Sequence, residues 1–95
     1  MSDMPQYKLT TVPVATPAAL GSTRLIAFSL YGGSAASSVE FKDAATDTGT
    51  VLFSAVIPIG TSLFINLSEL GGIAFSTNIF CKPAGAGAIV YAWHA

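Results

Sequence analysis

Three runs constrain this chain more than anything else in it: RLIAFSLY (24–31), TVLFSAVI (50–57) and AIVYAWHA (88–95). Each is rich in the branched and aromatic residues that suit a pleated, packed surface. Each is also apolar or small at both alternating sets of positions. A strand with one wet face alternates apolar and polar, so these strands need cover on both sides. A chain of 95 residues can build one core and two layers and no more. The second cover is therefore expected from another subunit, because obligate interfaces resemble a core cut in half.

Between these runs the chain is punctuated for strands and turns. Gly32-Gly33 follows the first run. SVEFKD (38–43) alternates cleanly, with Val39 and Phe41 on one face and Glu40 and Lys42 on the other. Asp47 and Gly49 suit the next turn, and Pro58 ends the second run. TSLFINLSE (61–69) reads as a strand ending before Gly71-Gly72, and IAFSTNIFCKP (73–83) as a bent strand broken near Ser76-Thr77-Asn78. In the first run, Ile26, Phe28 and Leu30 share one face and Leu25, Ala27, Ser29 and Tyr31 the other. Short strands with turn signals about 8–12 residues apart, and no sustained helical period, predict an all-β fold. The expectation is a small antiparallel β-sandwich, jelly-roll-like, with six to eight short strands over 24–95.

Residues 1–23 are different. Pro5, Pro13 and Pro17 each fix φ and remove a ladder donor. This stretch is expected to be an extended N-terminal arm, with one short edge strand between Tyr7 and Val12.

Charge narrows the function. Charged residues make up 9% of the chain against 52% hydrophobic. Surface scaling gives about 5,100 Å² for a chain of this size, or about 570 Å² for each of the nine formal charges. Four Lys and Arg are too few for a phosphate footprint, so no nucleic-acid partner is expected. A single cysteine excludes a disulfide scaffold. Gly, Ser, Thr, Pro or a charge interrupts every apolar stretch short of a membrane span. Asp3 and Pro5 stand where a secretory signal would be basic, so production and assembly in a reducing cytoplasm, away from membranes, are expected.

No catalytic signature is visible. His94 has no acid spaced to orient it. Cys81 could meet His94 only if their strands were adjacent, and an inert buried thiol is the expected state. Asp43 and Asp47 are two carboxylates in KDAATDTGT, which turn chemistry explains without a metal. AGAG (84–87) lacks the lysine of a phosphate-binding loop. The chain is expected to be no enzyme and to need no metal or cofactor. Tyr31, Phe80, Tyr91 and Trp93, with Phe64, are candidate interface aromatics. They could instead make a sugar-stacking platform, with Asn66 and Asn78 as polar partners.

The C-terminal half, LGGIAFSTNIFCKPAGAGAIVYAWHA (70–95), resembles the closing strands of small β-sandwich virion proteins of tailed bacteriophages. The phrase Gly71-Gly72-Ile73-Ala74-Phe75-Ser76-Thr77 carries the resemblance, with Asn78 where a glycine is commoner. VEFKDAAT followed by VLFSAVIPIGTSLFINL is similar too. The resemblance spans roughly 24–95 and implies a capsid decoration, or cement, protein: a homo-oligomer, with a trimer as the first expectation, on the virion surface. Its partner would be the major capsid protein, whose neighbouring subunits it would bridge. Tyr7, Leu9, Val12 and Val14 are the arm residues expected to reach across that boundary by strand addition. The alternative is a head- or tail-fibre module that binds a host surface glycan.

Overall fold

The computed structural model describes residues 7–95. It contains nine strands: β1 (Lys8–Pro13), β2 (Ala18–Ala19), β3 (Arg24–Tyr31), β4 (Ser37–Asp43), β5 (Thr50–Ile57), β6 (Ser62–Asn66), β7 (Ile73–Ala74), β8 (Ile79–Ala84) and β9 (Ile89–His94). All pairings are antiparallel. Sheet I has the order β1-β9-β3-β6, with β7 continuing beside β3. Sheet II has the order β2-β8-β4-β5. With the two-residue β7 set aside, this is the double Greek-key winding of a jelly roll.

The core lies between the sheets. Phe28 of β3 meets Phe41 of β4 with ring centroids 4.9 Å apart, and Phe53 of β5 approaches Phe28 edge-on at 5.7 Å. Leu25, Leu30, Val39, Ile79, Cys81, Val90 and Ala92 fill the space around them. The alternation of β4 follows the sequence: Val39 and Phe41 are buried, Glu40 and Lys42 half-buried on the outer face.

Several expectations need correction. The short edge strand expected between Tyr7 and Val12 is present as β1, but residues 8–23 are built into both sheets and do not stand off as an arm. β1 pairs with β9 along its whole length, and β2 pairs with β8. Val12 is 1% exposed, and Leu20 is also in the core. The packing therefore has no boundary at residue 23. The first six residues of the expected arm lie outside the described residues. Pro13 is tolerated because β1 is an edge strand, and Pro83 because β2 reaches only as far as Phe80 and Cys81.

The face assignment of β3 also changes. A bulge between Leu25 and Ala27 adds one residue against β9. Leu25 thereby joins Phe28 and Leu30 in the core, while Ala27 and Ser29 face outward. The strand expected over 61–69 stops at Asn66. There the Asn66 side chain accepts the Ser68 N–H at 2.9 Å, and a 3-10 turn (Ser68–Leu70) ends at Gly71, φ 77°. The bent segment 73–83 splits into β7 and β8, which lie in different sheets. The Asp43 carboxylate fixes that break by accepting the Ser76 and Thr77 N–H groups at 3.1 and 2.8 Å.

Candidate functional site

The outer face of sheet I collects the features that the sequence singles out. From β1 it receives Leu9, Thr11 and Pro13, and from β9 Ile89, Tyr91 and Trp93. From β3 it receives Ala27, Ser29 and Tyr31, and from β6 Ser62, Phe64 and Asn66. These three positions on each of four strands include no charged residue. Small residues on the central β3 let the aromatics of its neighbours lie over it. Tyr31 and Tyr91 pack edge to face at 5.4 Å, and Phe64 and Trp93 at 6.0 Å. Such pairs are favoured geometrically and hold the rings as a fixed surface.

At one end of this face lies an open depression of about 220 Å³ lined by Tyr7, Ile26, Ala27, Phe64, Asn66, Ser68 and Trp93. Its walls are aromatic. Its polar groups are the Asn66 amide and the hydroxyls of Ser68 and Tyr7. Because Asn66 Oδ1 already accepts the Ser68 N–H, the amide NH₂ is the group left to offer a ligand.

The structure divides the expected interface residues. Tyr7, Leu9 and Tyr31 are exposed, and Tyr91 and Trp93 are half-buried, all on or beside the sheet I face. Val14 packs against the core from its edge. Val12 and Phe80 are buried within the subunit, so neither side chain is available to a partner. Val12 points inward because it shares its strand face with Thr10, not with Leu9. Phe80 stands on the outer side of sheet II, opposite Ala19 and Lys42. Phe64 and Asn66 could be nominated with Trp93 by residue type, but their place beside it depends on the register of β6, which is not legible in the sequence.

His94, Asp43 and Asp47 are engaged in structural contacts, and Cys81 is buried. His94 is 1% exposed. Its Nε2 lies 2.8 Å from Thr10 Oγ1 and its Nδ1 2.7 Å from Ser22 Oγ. Burial lowers its pKa, with Lys8 adding to the effect. The ring clamps β1 and the β2–β3 loop to β9. Cys81 lies in sheet II and His94 in sheet I, and burial pushes the Cys81 thiol up to about 12, where it is protonated and unreactive. Asp47 accepts from Lys42 and from Lys82 (2.9 Å), and these contacts hold its carboxyl below the ordinary range. Asp43 is lowered first by the Ser76 hydroxyl and then by backbone N–H groups. Both aspartates of KDAATDTGT are thus occupied by protein partners.

No protein family matches the chain, and neither a curated protein nor a solved structure matches it.

Proposed function

We propose that the chain is a structural virion module of a tailed phage, decorating the capsid and bridging major capsid subunits as a homo-oligomer. The observation that carries this reading is the uncharged aromatic face of sheet I. A contiguous apolar patch on a small chain is a contact surface before it is anything else. It needs no chemistry to act, and none is assembled around His94 or Cys81. The jelly-roll winding recurs in viral capsid domains and in lectins, which suits the reading without deciding it. Four strands about 4.8 Å apart and five residues long cover only about 300 Å². One such contact is too small to hold alone. An oligomer that presents several faces to neighbouring capsid subunits multiplies it through effective concentration.

Particles purified from the producing culture test the proposal by quantitative mass spectrometry. A copy number comparable with the major capsid subunit is expected. A handful of copies, or absence from the particle, overturns the capsid reading. The depression at Tyr7, Phe64, Trp93 and Asn66 favours a second reading, a fibre module that stacks a neutral sugar ring. Glycan-array binding that disappears in Trp93→Ala would select it.

A further inference from the structure

The two open sides of the sandwich are finished differently. On one side β1 carries Lys8 and Pro13, and β2 is two residues long. Charge, proline and shortness are the usual means of keeping an edge from pairing. On the other side, among the described residues, β5 and β6 have no strand beyond them. β5 reads TVLFSAVI, eight residues without a charge or a proline. Its inward residues Phe53 and Ala55, with Leu63 and Ile65 of β6, pack against the core yet stay only half-buried. Val56, facing outward, is 77% exposed. The core is therefore least covered where the ladder is unfinished.

We propose that this side is a self-association surface. A second copy of the chain lays its β5 antiparallel to the first about a two-fold axis, joining the two second sheets into one and closing both cores. An unpaired edge is a ready template for an identical strand, and antiparallel pairing of identical strands is self-complementary. A continuous sheet sets inward residues opposite inward residues, so opposed positions differ by an even number. The bulge against β4 at Leu52 spoils one end of the edge and leaves Phe53–Ile57 in regular register. Centred there, Ala55 sits on the axis, and Ser54 of one copy stands opposite Val56 of the other.

The contact differs from the sheet I face in kind more than in area. The paired stretch Phe53–Ile57 runs about 17 Å, and two sheets about 10 Å apart with their outer side chains are about 20 Å deep. That gives about 340 Å² per copy and about 700 Å² in all, to which a main-chain ladder is added. Two sheet I faces pressed together would bury a similar area of about 600 Å² and gain no ladder. The inference says how the copies of the proposed oligomer join, and it does not depend on the capsid.

Sedimentation equilibrium of the isolated chain at micromolar concentration tests it. The expected result is a dimer. Ser54→Lys combined with Val56→Lys should weaken association at least tenfold while the melting curve shows a folded chain, because both side chains face out. Ser54→Glu combined with Val56→Glu should do the same, and an equimolar mixture of the two variants should restore the dimer. A monomeric wild type, a trimer, or a lysine variant that dimerises unchanged overturns the proposal. A dimer together with a chain absent from particles leaves it standing and removes only the capsid reading.

Discussion

Across the outside of sheet I, four strands present aromatic, aliphatic and small polar side chains and no charge. Across the outside of sheet II, Glu40, Lys42 and Lys82 stand side by side in register, and Asp47 closes over the two lysines from the β4–β5 loop. The backbones of the two sheets are alike. The residues differ in what they ask of the surroundings. Charges on sheet II keep their hydration and pair with one another, so that face is finished in water. Sheet I holds apolar area that water does not reward. The difference teaches where to look for a partner in a chain with so few charges: on the face that received none of them.

The largest effect should come from breaking both sheets together. Deleting residues 1–23 removes β1 from sheet I and β2 from sheet II, and takes Val12 and Leu20 out of the core. The loss should be of the order of 5 kcal/mol or more, comparable with the whole stability of a small domain. Circular dichroism should show no cooperative melt. A truncated chain that still melts cooperatively would mean that the first two strands are ornaments on a self-sufficient sandwich.

The comparison of faces is sharpened by placing the same charge on each. Tyr31→Lys puts a cation at an exposed position of sheet I, and Ser38→Lys puts one on sheet II beside Glu40 and Lys42. Particle binding measured by co-sedimentation should fall at least tenfold for the first and change less than about twofold for the second. Equal effects would show that the uncharged face has no special role in docking.

Acid should act first on sheet I. His94 has its pKa lowered from 6.5 by burial, so the unfolded chain takes up a proton at a pH where the folded chain does not. Stability from the neutral ring is present above about 6.5 and is lost as pH falls through that value. The slope cannot exceed about 1.4 kcal/mol per pH unit for one proton. Chemical denaturation at pH 7 and pH 5 should show this loss, and His94→Gln should remove it while keeping a side chain able to reach Thr10 and Ser22. An identical slope in the variant would assign the acid sensitivity elsewhere.

Much of this was legible in the sequence, and what was not has a physical reason. The strand runs at 24–31, 38–43 and 50–57 are visible because branched and aromatic residues stop abruptly at Gly, Pro or Asp. The all-β class follows from them. Face assignments fail at β3, because one bulged residue reverses the parity of everything before it and leaves no mark in composition. β1 was legible as a short edge strand, because Pro13 is disqualifying in a central strand and harmless at an edge, but its pairing partner was not. Which strand lies at an edge depends on sheet order, and that is set by contacts far apart in sequence. The same long-range order puts Phe64 and Asn66 beside Trp93, and leaves one side of β5 unpaired among the described residues. Tyr31, Tyr91 and Trp93 could be nominated from their type alone, as could Phe80. Only register separates the first three, which reach the surface of sheet I, from Phe80, which the subunit keeps for itself.

The smallest effect should come from the charged face. Asp47 anchors both Lys42 and Lys82, and although the Lys42 side chain is only 12% exposed, Asp47 and Lys82 are open enough for water and salt to compete. Asp47→Asn should therefore lower Tm by a few degrees at most at low salt, and by less at high salt, where screening already weakens the pairs. The sign with pH is the acidic one. Because the Asp47 carboxyl is held below its ordinary 3.8 by Lys42 and Lys82, its contribution is present above that value and is lost as pH falls below it. The variant should thus differ from wild type at pH 7 and converge with it near pH 2. A large Tm loss at neutral pH, insensitive to salt, would mean that the loop from Asp43 to Thr50 holds sheet II together, and that the wet face is as structural as the dry one.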